Sequence, residues 1–195
     1  IRNDDHNIIK NLSSLDVLPV INGLSDYSHP CQILSDLLTL SEKLGNIKKQ
    51  KICWVGDYNN VLRSLIELQC IYKFKLEVVL PKEILKKSIS KIIKNKNLNV
   101  TNVIHEGVKN ANCVMTDTWV SMGESVDTFA LEKLKPYQLN TSLLAVAPNS
   151  AIVMHCLPAH RNEEITRFVV PNFLRITWKH ELSRSCTLCI ENGKD

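Results

Sequence analysis

Lys51-Ile52-Cys53-Trp54-Val55-Gly56-Asp57-Tyr58-Asn59-Asn60 is the stretch on which the fold turns. Its apolar run reads as a strand buried on both faces, the mark of a parallel sheet. Gly56-Asp57 then supplies a turn. From Asn59-Asn60 onward, Val61, Leu62, Leu65, Ile66, Leu68 and Ile71 repeat with the 3.6-residue period of a helix. This is a first βα crossover of a nucleotide-type sheet, but the G-x-G-x-x-G fingerprint of a dinucleotide site is absent.

Working outward, similar apolar, β-branched runs occur at Val17–Ile21, Leu76–Leu80, Val100–Ile104, Cys113–Thr116 and Ala151–His155. Ile33, Leu34, Leu37, Leu38, Leu40 and Leu44 mark another helix. Pro30 suits its first turn, where a missing N–H costs nothing, and Gly45-Asn46 suits its end. Strands alternating with helices predict an α/β fold: an open parallel sheet of five or six strands with helices on both faces. From Arg167 onward the pattern is less regular.

The chain has 195 residues, 44% of them hydrophobic, enough for a proper core. No apolar run approaches the ~18–20 residues of a membrane span. The net charge of +4 is concentrated in Lys82, Lys86, Lys87, Lys91, Lys94 and Lys96, interleaved with Ile84, Leu85, Ile89, Ile92 and Ile93. That is an amphipathic helix with a solvated basic face; it lacks the Arg and aromatic residues of a nucleic-acid surface. Seven cysteines at irregular spacing, several inside apolar runs, indicate a reducing compartment and no disulfide framework. Cys186 and Cys189 have C-x-x-C spacing, but no second pair completes a zinc site nearby. Ile1 in place of Met, with a polar stretch behind it, leads us to expect an internal piece of a longer protein.

Four polar clusters follow one another: His29-Pro30-Cys31-Gln32, Gly56-Asp57-Tyr58-Asn59-Asn60, Asp117-Thr118-Trp119-Val120-Ser121-Met122-Gly123 and His155-Cys156-Leu157-Pro158. Three directly follow strand-like runs, so they converge in the crevice beyond the strands' carboxyl ends, where ligands bind. His29 and Gln32, at i and i+3, share a face at a helix N-terminus, which favours anions. One of Asn59 and Asn60 caps a helix, and the other is free to point into the crevice. Asp117 and Ser121 suit an amino-acid headgroup or cap a turn. Cys156 is a nucleophile, a ligand-contacting thiol or a space filler. Leu157, preceding Pro158, is expected to be extended, with its carbonyl aimed outward.

Taken together, H-P-x-Q, G-D-x-N-N, D-x-W-x-S-M-G and H-C-L-P in that order resemble the ornithine carbamoyltransferase family, from about Val17 to Glu164. The resemblance implies transfer of a carbamoyl group from carbamoyl phosphate to the δ-amine of L-ornithine, giving citrulline and phosphate. It implies no metal and no organic cofactor. By that resemblance His29, Gln32, Cys156, Leu157 and Arg184 bind carbamoyl phosphate, with His29 polarising its carbonyl. Asn60, Asp117, Ser121 and Met122 hold ornithine. Cys156 and His29 are the catalytic pair, Cys156 lying beside the reacting amine without forming a covalent intermediate. A Cys156→Ala change is therefore expected to lower kcat by roughly tenfold or more.

The resemblance also implies homotrimers, with no nucleic-acid or membrane partner, in the cytoplasm, or in the mitochondrial matrix if the source is eukaryotic. It divides the chain into residues 1–30, a stub of a carbamoyl-phosphate-binding domain; 31–165, an ornithine-binding domain; and 166–195, a divergent segment. The family's S-x-R-T phosphate loop does not occur in this sequence, and its A-E-N-R helix is replaced by Trp178–Arg184. The isolated chain is accordingly expected to be inactive or nearly so.

Overall fold

A computed structural model describes residues 1–93, 95–120, 127–167, 169 and 188–191. Its centre is a six-stranded sheet: β1 (Lys51–Val55), β2 (Lys75–Val79), β3 (Leu98–Thr101), β4 (Cys113–Thr116), β5 (Ile152–His155) and β6 (Leu188–Glu191), in spatial order β3-β2-β1-β4-β5-β6. The first five are mutually parallel, as the apolar runs predict. Strand β6 runs antiparallel to β5, in a region where the sequence showed no regular pattern.

Alternation along β1 assigns its side chains to two cores. Ile52 and Trp54 pack with Ile33, Leu37 and Leu40 of helix α2 (Pro30–Leu44) and with Leu62 and Leu65 of α3 (Asn60–Tyr72). Cys53 and Val55 face the opposite layer, with Val108 of α5 (Ile104–Val108) and Leu143 and Leu144 of the short helix Thr141–Leu144. Cys53 and Cys113 thus act as small hydrophobes, and Cys31, Cys53, Cys70, Cys113 and Cys156 are free thiols. Helix α2 begins at Pro30 and ends before Gly45, whose φ is +70°, matching both sequence signals.

Two expectations fail. Val17–Ile21 is not a strand: Val17, Leu18 and Ile21 are 78%, 74% and 71% exposed, beyond the end of α1 (His6–Ser14). Pro19, in the middle of that run, has no N–H for a ladder and keeps it out of the sheet. The basic helix is also shorter than the pattern suggests. Helix α4 spans only Lys82–Ser88 and continues as a 3-10 turn, Ile89–Lys91. Ser88, Ile89 and Ser90 disfavour helix at that point, and Ile89 and Ile93 remain exposed. No described helix is long and apolar enough to cross a membrane.

Helix α5 lies against β2 so closely that a Cβ at Gly107 would overlap Val79 Cγ2 and approach Cys53 Sγ. Gly107→Ala is therefore expected to destabilise the fold by about 1–3 kcal/mol through overpacking. Urea unfolding should show the lowered midpoint.

Candidate active site

β1 has β2 on one side and β4 on the other, so the direction of winding reverses between β1 and β4. Such a reversal opens a crevice beyond the carboxyl ends of the two strands. Gly56 ends β1 with φ +140°, a conformation that favours glycine. Its N–H bonds the Val79 carbonyl at 3.1 Å, and a Cβ there would meet Thr116 Oγ1 at 3.4 Å.

Asp117 leaves β4 at this point. Asn59 Nδ2 donates to Asp117 Oδ2 at 2.7 Å, while Asn59 Oδ1 accepts from the Leu62 N–H and caps α3. One side chain therefore does both jobs that the sequence divided between two asparagines. Asn60 Nδ2 instead donates to the Ser25 carbonyl at 2.6 Å, tying the first thirty residues to α3. Burial raises the pKa of Asp117 and Glu164 adds to the shift; His155, the Thr118 N–H and Asn59 oppose it.

Cys156, at the exit of β5, is buried beside Asp117. Its thiol pKa is pushed well up by burial and by the charges of Asp117 and Asp36, so the group stays a neutral thiol at pH 7. A thiolate nucleophile is not favoured here. Asp36 also accepts from Gln32 Nε2 at 3.0 Å, one turn along α2, and Gln32 is 2% exposed. The i, i+4 spacing of Gln32 and Asp36 was the available signal for this missed residue.

His155 supports the site from below. The Leu157 N–H donates to His155 Nδ1 at 2.9 Å. The ring proton is therefore on Nε2, which meets the buried Glu164 Oε1 at 2.8 Å. Leu157 differs from its expectation: its φ is +47°, not extended, and the Leu157–Pro158 peptide is cis. The bond to His155 Nδ1 holds the Leu157 N–H in this left-handed conformation. Glu164 had no local signal, because it lies nine residues beyond its partner His155 in an irregular segment.

His29 occupies the N-cap position of α2 but makes no side-chain cap bond. Its N–H bonds Ser64 Oγ at 2.9 Å, and Ser64 Oγ in turn donates to the Asn60 carbonyl, joining α2 to α3. The buried His29 Nδ1 has no hydrogen-bond partner. Burial and the Arg2 guanidinium lower its pKa from 6.5 to about 4, against an opposing backbone interaction with Gly23. The imidazole is thus neutral at pH 7 and available to polarise a carbonyl.

Asn59, Asp117, Cys156 and, through Asp36, Gln32 are brought together, with His155 and Glu164 behind them. Ser121, Met122 and Arg184 lie outside the described residues. A separate groove of about 390 Å³ is lined by Tyr27, Tyr58, Arg63, Glu67 and Lys91 among others. We place the site at Asp117 and Cys156, because that is where the ionisable groups are shifted and the strand ends converge.

This is a doubly wound α/β domain whose switch point holds a buried carboxylate, Asp117, beside the neutral thiol of Cys156. Residues 48–181 match the family described as aspartate/ornithine carbamoyltransferase, Asp/Orn binding domain, and residues 1–42 match its carbamoyl-P binding domain. The chain belongs to the aspartate/ornithine carbamoyltransferase family. It is 42% identical over 169 residues to an ornithine carbamoyltransferase of Rhodopseudomonas palustris, a match covering 85% of this chain and 54% of the relative. The Thermus thermophilus ornithine carbamoyltransferase structure is 34% identical with a TM-score of 0.74, covering 87% of this chain and 56% of that one. The anabolic enzyme of Campylobacter jejuni is 29% identical with a TM-score of 0.76, covering 86% and 58%. The chain spans about half the length of the curated relatives it matches.

His29, with a lowered folded-state pKa, contributes stability that is present above pH 6.5 and lost as pH falls toward about 4. Denaturant midpoints measured at pH 7 and pH 4.5 should therefore differ less in His29→Gln than in the wild type. Asn59→Ala should cost about 1–2 kcal/mol through the lost cap, and Asn59→Ser should recover part of it. Urea titrations of the three proteins at pH 7 measure both effects.

Proposed function

We propose that this chain carries the amine side of a carbamoyl transfer from carbamoyl phosphate to the δ-amine of L-ornithine. The observation that carries this reading is Asp117: a crevice carboxylate, held by Asn59 and facing Cys156, whose pKa stays raised because His155 and Asn59 do not fully offset its burial. An alkyl ammonium would stabilise its ionised form. It would also need to lose a proton, since its ordinary pKa is ~10.4. Burial makes Asp117 a stronger base than an ordinary carboxylate and therefore a better acceptor.

In this scheme the freed amine nitrogen attacks the carbamoyl carbon, the C–O bond to phosphate breaks, and citrulline and phosphate leave. Negative charge builds on the carbonyl oxygen, where the neutral His29 imidazole donates a hydrogen bond, with Gln32 beside it. Cys156 packs against the amine as a neutral thiol, and the Leu157 carbonyl receives the carbamoyl amide. Asn60, Ser121 and Met122 complete the ornithine pocket, and Arg184 the phosphate side. The boundaries 1–30, 31–165 and 166–195, assembly as trimers and a cytoplasmic or mitochondrial-matrix location belong to the same proposal.

No S-x-R-T loop occurs in these residues, and a missing phosphate clamp removes several kcal/mol of transition-state stabilisation. The chain by itself should therefore bind ornithine but form little citrulline. A second reading, an amino-acid-binding module without turnover, uses the same Asp117 crevice.

Calorimetry with L-ornithine and putrescine, together with a citrulline assay, tests both readings. Ornithine should bind in preference to putrescine. Binding should weaken as pH falls through the raised Asp117 pKa, and Asp117→Asn should abolish it. Equal ornithine binding by wild type and Asp117→Asn would overturn the site. After incubation with carbamoyl phosphate, mass spectrometry should find no carbamoyl adduct on Cys156.

A further inference from the structure

Beyond the crevice, the turn that follows β5 carries His160, Glu163 and Glu164, whose ligand atoms all lie within 4.8 Å of one another. His160 Nδ1 is 3.9 Å from Glu163 Oε2 and 3.9 Å from Glu164 Oε2. The imidazole and Glu163 are open to solvent, whereas the Glu164 side chain is 0% exposed. Its two oxygens are in different situations. Oε1 accepts from His155 Nε2 at 2.8 Å and from the His160 N–H at 2.6 Å. Oε2 is buried with no hydrogen-bond partner. An unpaired carboxylate oxygen in such a place is costly, and a cation is what would offset it.

We propose that His160, Glu163 and Glu164 form a binding site for a divalent transition-metal cation. Three protein ligands, one nitrogen and two oxygens, with a fourth position left for water, suit zinc or cobalt(II). An imidazole ligand disfavours magnesium and calcium, which take oxygen donors. Metal–ligand lengths of about 2.0–2.2 Å set tetrahedral ligands roughly 3.4 Å apart, so the two 3.9 Å separations from His160 close by about half an ångström, and no pair within the 4.8 Å limit by more than about 1.4 Å.

The fixed ligand is well supported. Two donors orient the Glu164 carboxylate through Oε1, and its main-chain carbonyl accepts from the Leu139 N–H at 2.8 Å. Hydrogen-bonded ligands of this kind are a usual outer shell of metal sites. The site shares Glu164 with the support of His155, but its evidence is the geometry of this turn and does not rest on ornithine binding.

The test is titration of the full chain, freed of metal by chelation, with cobalt(II) chloride, followed by absorption and calorimetry. One cobalt per chain should bind, giving d–d bands without thiolate-to-metal charge transfer. His160→Ala and Glu163→Gln, both exposed and remote from the packing, should retain the wild-type circular dichroism. Each should weaken binding by at least the roughly tenfold that even outer-shell changes cost. No binding at millimolar cobalt, a thiolate charge-transfer band, or either variant binding as tightly as the wild type would overturn the site.

Discussion

The bond from Asn59 to Asp117 is the joint on which the crevice depends. A sheet covered on both faces has no wet surface except at its strand ends, so every polar group of the site must gather there. Asn59 starts α3 and reaches across the switch point to the residue that ends β4. The helix start and the carboxylate are thereby placed by one side chain. The donated hydrogen bond favours the ionised carboxylate, in opposition to burial, and keeps Asp117 titratable within reach of a ligand.

A second framework stands behind the first. Glu164 fixes the tautomer of His155, and His155 fixes the Leu157 N–H, so the order of control runs from a buried acid to the backbone beside Cys156. Cys156 is held as a thiol by burial and by two neighbouring carboxylates. On α2, the neutral His29 contributes an imidazole without adding a positive charge. Cys156 thus has an acid on either side, Asp117 after β4 and Asp36 on α2.

The parallel strands were legible because each is a short run of apolar residues ending at a turn, and β1, β4 and β5 match their runs closely. Helix α2 was legible at both ends through Pro30 and Gly45. Val17–Ile21 has strand composition, but composition does not weigh the N–H that Pro19 lacks. The choice between Asn59 and Asn60 hinged on where α3 begins, and moving a helix start by one residue exchanges their roles. Leu157 was misjudged because its N–H donates to the His155 ring two residues back, and that bond overrides the usual preference of a residue before proline. Asp36 was legible only through its i, i+4 spacing from Gln32, and Glu164 not at all, since a charged residue in an irregular turn reads as surface until packing shows otherwise.

The antiparallel pairing of β6 with β5 has a consequence for the order in which the molecule is made. Residues 152–155 leave the ribosome well before residues 188–191, so during synthesis β5 has only β4 to pair with and its outer edge is open. An unpaired edge beside the residues that form the crevice is an invitation to pairing with another nascent chain. The late strand closes that edge, and truncation or frameshift upstream of Leu188 would leave it open for the lifetime of the protein.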